Sequence, residues 1–295
     1  MNYSFPPGRR KRISRFCKIL ASASFAPETI VTNDDIISNN GLPFKSRVIV
    51  KSIGVEKRHV AMDHLTDSDI LVESAQKCLE ISGLSVDQLS RLIVNKYFGD
   101  NLLPMTASRL LGKLGSGTAV HAFDIDGGIS SFLYSVDTIS RFIGTGDDYI
   151  LLSSGGIHTR LVSKTDPRVA FLFGDASASL LFGFSREPHL LASYFYTNHQ
   201  FFDLATAWSP LRLTHLYLKS SSSPDLSCLY DTYHLDNWKN AEEFYRQASR
   251  EVARNLSVQR RKGYKKISRS GMAGGDVLAY PQPWRADGQI LRVLQ

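Results

Sequence analysis

The residues with the strongest claim to chemistry lie in 123–136, which reads FDIDGGISSFLYSV. An apolar stretch at 119–125 runs into Gly127 and Gly128. From Ser130 onward Phe132, Leu133, Val136, Ile139 and Phe142 recur at helical spacing. Strand, tight glycine turn and helix is the geometry of a nucleophile elbow. A side chain at such a turn sits over the free N–H groups at the helix start, which favour a thiolate or an alkoxide. The residue at the tip is Ile129, a hydrocarbon with no electron pair to offer. The arrangement for covalent catalysis is present and the nucleophile is not.

Other reactive groups are weaker candidates. His59 and His64 flank Asp63, but no cysteine or third ligand converges on them in sequence, so no metal site is expected there. Asp124 and Asp126 share a strand face as i and i+2. Asp126, if buried beside the elbow, would need a partner or a raised pKa. Gly127 and Gly128 do not make a phosphate loop, since the strand–GxxxxGK arrangement is missing.

The elements that must position these groups follow from patterning. The chain has 295 residues with 43% hydrophobic and 21% charged, which suits a globular protein with a substantial core. The net charge of +7 resides at the ends: 1–18 carry six basic residues and no acidic one, and 257–295 carry eight basic and two acidic. The body, 19–256, is left with 21 basic and 26 acidic residues, so a basic nucleic-acid-binding face on it is not expected. Cys17, Cys78 and Cys228 are too scattered for a disulfide framework or a zinc site and suggest a reducing compartment. No run approaches the roughly 18 apolar residues of a membrane span. The basic start followed by 19–26 resembles a weak targeting signal but reads better as a first strand, and a cytoplasmic location is expected.

In chain order, 1–18 read as a basic disordered arm and 17–25 as a strand. Thr32 to Asp35 form a helix start, and 46–53 an apolar segment. Residues 67–83 form a helix, started by Asp67 or Ser68, whose Ile70, Leu71, Ser74, Ala75, Cys78 and Leu79 share one face. Cys78 is therefore a core thiol. A strand at 92–97, a helix at 104–114, the elbow unit, a strand at 149–153 and a segment at 176–182 follow. This alternation predicts a largely parallel sheet covered by helices. Beyond 184 the pattern weakens: 189–196 could form a strand, and 237–256 is an amphipathic helix. The tail 257–295 has no sustained period.

These residues resemble the β-ketoacyl-acyl-carrier-protein synthase III family of the thiolase-like superfamily. The landmarks are VTNDDI, SIGVEKRHVA (52–61), LG at 111–112, AFDIDGGISSFLYSV (122–136) and TDPRVAFLFGDASASLLF (165–182), in the family's order over roughly 19–184. A looser match extends to YHLDNWKNAEEFYRQASREVARNL (233–256). The resemblance implies a layered α-β-α-β-α fold, with 19–184 as the N-terminal half, 185–256 as a partial C-terminal half and 257–295 as an unpatterned tail. It implies acyl transfer from acyl-coenzyme A to a cysteine, then condensation with a malonyl group on acyl carrier protein, assisted by a histidine and an asparagine.

Asp124 belongs to the family's pattern, which implies that it bonds backbone. Carried across without a gap, the cysteine position is Ile129. Ser130 is next, but one step along the elbow turns a side chain away from the substrate tunnel, and helix cap or first-turn residue is its ordinary reading. The histidine and asparagine motifs should follow Leu256, yet no histidine follows His234 and no asparagine follows Asn255. A degenerate, C-terminally curtailed member is therefore expected, with a truncated or frameshifted reading frame as one explanation. The family's adenine-stacking tryptophan falls on Val48 and a nearby arginine on Ser52. Arg168 lies within one position of a phosphate-contacting arginine, and Arg160 is close by; each could meet a phosphate of coenzyme A or remain a solvated surface arginine. Gly174–Asp175 matches a family turn, with glycine permitting a positive φ and the aspartate bonding local backbone. Family members dimerise through the sheet edge beside the elbow, so a homodimer, or a heterodimer with an active paralogue, is implied.

Overall fold

The computed structural model describes residues 15–190 apart from 102, 118, 127 and 168, together with 193, 195, 206–207 and 233–234. The described residues fall into two compact units divided at 44/45, 54/55 and 196/197. The smaller described part holds α2 (Ser46–Ile53), which stops at Gly54 in the left-handed conformation, and the two-residue strands β8 (Thr206–Ala207) and β9 (Tyr233–His234). All other elements belong to the other unit.

Its centre is a five-stranded sheet of β1 (Cys17–Phe25), β4 (Arg91–Lys96), β5 (His121–Asp126), β6 (Tyr149–Gly156) and β7 (Ala176–Phe184), in the order β1-β7-β6-β4-β5. Period-2 alternation decides which side chain meets which layer. Leu92 and Val94 of β4, Leu151 of β6 and Leu181 of β7 face α3 (Asp67–Ser82) and α4 (Thr106–Lys113). Ile93, Ile150, Leu152 and Phe182 face α5 (Ser131–Gly144) on the opposite side. Central strands covered on both faces must be apolar throughout, as β4 is over 92–94. At roughly 1.5–3 kcal/mol for each fully buried Leu or Ile, these two layers dominate the favourable side of folding.

The sheet departs from the parallel expectation. β4 pairs in parallel with β5 and β6, but β6–β7 and β7–β1 are antiparallel. The reason is the connection: 157–175 carries no helix, and only a parallel return needs a crossover helix. A separate ribbon pairs β2 (Ile30–Thr32) with β3 (Lys57–His59), and α1 (Asn33–Asn39) starts from Thr32.

Helix α3 shows why its sequence folds as it does. Asp69 Oδ2 accepts both the Thr66 N–H (2.8 Å) and the Thr66 hydroxyl (2.7 Å), so Thr66, not Asp67 or Ser68, is the N-cap. Gly83 ends it with φ 70°. Its predicted face is buried without exception, and burial pushes the Cys78 thiol up to about 11, a core thiol. Three serine hydroxyls, Ser74, Ser179 and Ser153, bond in series at 2.9 and 2.8 Å where α3 crosses β7 and β6.

Ordered structure also begins earlier than an arm over 1–18 allows. Arg15 is buried, forms an isolated bridge with Leu190, and pairs with Asp137 of α5. Asp137 also accepts from Ser193 and from Arg141 Nε at 2.8 Å. Burial works against its charge, but these three donors outweigh it and hold its carboxyl below the ordinary range. Leu190 aside, the predicted strand at 189–196 lies largely outside the described residues, as do the helix at 237–256, Cys228 and the tail. Among the described residues no helix is long and apolar enough to cross a membrane.

Removing Asp137 strands the Arg15 guanidinium. Asp137→Ala should lower unfolding free energy by about 3 kcal/mol in urea titrations at neutral pH. Because the folded-state pKa of Asp137 is depressed, its contribution is present above the ordinary carboxylate range and lost as pH falls. The acid limb of the stability curve should therefore be shallower in Asp137→Ala than in the native chain.

Candidate active site

β5 is an edge strand, bonded only to β4, and it delivers the chain into the elbow. Gly128 takes φ 68°, a left-handed conformation that costs glycine least, and a 3₁₀ turn over Gly128–Ser130 passes into α5. Position 129 is the middle of that turn. Ser130 occupies the N-cap position with φ −82° and ψ −7°, is exposed, and makes no side-chain capping bond.

A directional chain of hydrogen bonds supports the turn from below. Ser154 Oγ donates to Asn95 Oδ1 at 2.8 Å; Asn95 Nδ2 donates to Ser131 Oγ at 2.5 Å and to the Ile125 carbonyl at 3.3 Å. Ser131 Oγ donates to the Gly128 carbonyl at 2.5 Å. The Ile125 carbonyl near the end of β5 and the Gly128 carbonyl in the turn each accept a side-chain donor in this way. Sequence reasoning missed this chain because its members come from three separate elements. The one available signal was Asn95, a polar residue interrupting an apolar strand.

Asp124 behaves as expected of a backbone binder. Its two oxygens accept the Thr106 N–H (2.9 Å) and the Ala107 N–H (2.8 Å) at the start of α4, and Lys96 Nζ lies 2.9 Å from Oδ2. Asp126 differs from the buried, partner-seeking case: it is exposed. The two aspartates therefore do not form a working carboxylate pair. Beside the turn stands an aromatic wall. The Tyr97 hydroxyl lies 3.6 Å from where a Cβ on Gly128 would be, the Tyr97 and His158 rings meet edge to face at 5.6 Å, and His158 stacks on Phe173 at 6.3 Å.

The other predicted residues lie elsewhere. Arg160 donates from Nη1 to the Leu65 carbonyl at 2.7 Å and from Nη2 to the Met62 carbonyl at 2.6 Å, so it clamps a loop and is more than a solvated arginine. It lines a cavity of about 410 Å³ together with Arg58, Lys164, Val31, Ile36 and Phe173. Arg58 is buried against Asn33 Oδ1 (2.6 Å) and the Phe171 carbonyl (3.0 Å), and burial lowers its pKa. Arg168 lies outside the described residues, while Val48 and Ser52 are exposed on α2. His59 Nδ1 bonds the Pro27 carbonyl and His64 is exposed.

Gly174–Asp175 is structural in a different way from that expected. Gly174 does not adopt a positive φ; a Cβ there would lie 3.1 Å from Arg58 Cβ and 3.2 Å from the His59 carbonyl. Asp175 is 1% exposed and accepts from the Ala61 N–H (2.8 Å), the Thr159 N–H (2.9 Å) and the Thr159 hydroxyl (2.7 Å), residues far from local.

Replacing the centre of the elbow's support should be costly. Asn95→Leu leaves the Ile125 carbonyl and Ser131 Oγ without that donor, and urea denaturation should show a loss of about 1–3 kcal/mol.

Comparison with known proteins agrees with this geometry. The family described as 3-oxoacyl-[acyl-carrier-protein (ACP)] synthase III matches over residues 123–199, a span that begins at the elbow strand. A β-ketoacyl-[acyl-carrier-protein] synthase III of Xanthomonas campestris pv. campestris is 28% identical over 205 residues, covering 68% of this chain and 60% of the relative. One from Latilactobacillus sakei is 34% identical over 164 residues, covering 56% of this chain and 49% of the relative. The chain thus spans between half and three fifths of the length of these relatives. The priming β-ketosynthase of the R1128 polyketide biosynthetic pathway superposes with a TM-score of 0.69 at 18% identity, covering 83% of this chain and 70% of that one. The scaffold is thus a thiolase-like α/β one, and over the elbow region the chain is similar to the 3-oxoacyl-[acyl-carrier-protein] synthase III family.

Proposed function

We propose that this chain is a synthase III-like protein of fatty-acid or polyketide-type biosynthesis that carries the family's elbow without forming an acyl-enzyme on it. The observation that carries this reading is Ile129 at the tip position. Acyl transfer from a thioester needs a lone pair to attack the carbonyl carbon while the coenzyme A thiolate departs. A hydrocarbon side chain has none. The exposed Ser130 hydroxyl is one residue further along, at the helix cap.

Acyl-coenzyme A remains the substrate class to which such a scaffold is suited, and Arg160 and Arg168 are the residues carried over for its phosphates. Arg160 already spends two donors on backbone carbonyls, which makes it a positioning group for its loop first. A partner-subunit role is favoured by one observation: β5 is an edge strand beside the elbow, with one side of its backbone unpaired in the sheet. That edge suits a second copy or a cysteine-bearing paralogue, with acyl carrier protein delivering to the active partner in a cytoplasmic setting.

Intact-mass measurement of the purified chain after incubation with acyl-coenzyme A tests the reading. The expected result is an unchanged mass. A covalent acyl adduct that disappears in Ser130→Ala would overturn it.

A further inference from the structure

The cavity of about 410 Å³ lies wholly within the unit that holds the five-stranded sheet. It is enclosed by α1, the segment after β3 and the connection from β6 to β7, and its volume is in the range of small-molecule sites. Ile36, Val162 and Phe173 give it an apolar wall. Three cations line it as well: Arg58 of β3, Arg160 and Lys164.

The positive charge of these three is unmatched. Arg58 is 6% exposed and donates to the Val31 carbonyl at 3.2 Å, Asn33 Oδ1 at 2.6 Å and the Phe171 carbonyl at 3.0 Å. All three acceptors are neutral, and Arg58 Nε has no acceptor. Arg160 likewise donates to two backbone carbonyls, and Lys164 is exposed. Among the described residues none of the three pairs with a carboxylate. Asp175 spends its oxygens on the donors of Ala61 and Thr159, and Asp63, which also lines the cavity, is exposed and forms no ion pair with them. A neutral acceptor satisfies a donor without compensating its charge. Positive charge gathered beside an apolar wall is therefore costly until an anion enters.

We propose that this cavity binds a small organic acid with an apolar body. Its anionic head meets Lys164 and the N–H donors of Arg160 that the loop carbonyls leave unused, and its hydrocarbon lies against Ile36, Val162 and Phe173. Arg58, held by its neutral partners, contributes field. Val48 and Ser52, the positions matching the family's adenine-stacking tryptophan and the arginine near it, do not line the cavity. Arg160 here meets a free acid in place of a coenzyme A phosphate, and the state of the elbow has no bearing on it.

Calorimetric titration of the full chain with octanoate tests this, with octanol as the uncharged body and inorganic phosphate as an anion without a body. Octanoate should bind, and each control should bind at least about tenfold more weakly. Lys164→Gln should weaken octanoate by roughly threefold and Lys164→Glu by about tenfold. Because Lys164 is exposed, thermal unfolding of both variants should match the native chain. Coenzyme A should not displace octanoate. Failure of octanoate to bind the folded native chain, equal binding of octanol, undiminished binding in Lys164→Glu, or displacement by coenzyme A overturns the proposal.

Discussion

The elbow depends on one carboxylate. β5 is an edge strand, so hydrogen bonding to β4 holds it on one side only, and nothing in the sheet itself fixes it against α4. Asp124 supplies that fix by accepting the first two free N–H groups of α4 while Lys96 neutralises the remaining charge. The bonds run from a buried anion to a helix N-terminus, where the orphan donors and the dipole both favour negative charge. Every group beyond it, from the glycine turn to the start of α5, inherits its position from this anchor.

What the anchor holds is a turn whose described supports come from its neighbours. The turn is made by Gly128, the Ile125 and Gly128 carbonyls accept from Asn95 and Ser131, and α5 packs through Ile139 and Ile143 against the sheet. The chemistry of the tip is a separate matter, set by the residue type at 129. The functional reading therefore rests on position 129, and the fold reading rests on all the others.

Much of this was legible in the sequence. The α3 face, the core thiol of Cys78 and the elbow's strand–turn–helix order follow from local periodicity and turn chemistry, and the backbone-binding role of Asp124 from the family resemblance. What was hidden depends on long-range partners. The antiparallel return of β7 follows a connection whose described residues carry no helix, and the pairing of β1 with β7 joins segments far apart in sequence. Gly174 was assigned to a positive φ, whereas its constraint is the close approach of Arg58 and His59, which no local pattern encodes. Arg15 sat in a basic run that read as an arm, because its partners Asp137 and Ser193 are more than a hundred residues away. Asn95, a polar residue inside an apolar strand, was passed over, because its role depends on Ser131 and Ser154 from other elements.

The central claim is that the elbow keeps its turn while the tip carries no nucleophile. The most direct measurement is the pH dependence of iodoacetamide alkylation in Ile129→Cys, with the native chain as the blank. Cys17 and Cys78 are buried with pKa values raised to about 11 and should contribute little. If the turn presents position 129 to the α5 N-terminus, the new thiol should have a pKa well below the roughly 8.5 of a free cysteine and react rapidly at neutral pH. A thiol that titrates like a free cysteine, or does not react at all, would contradict the account.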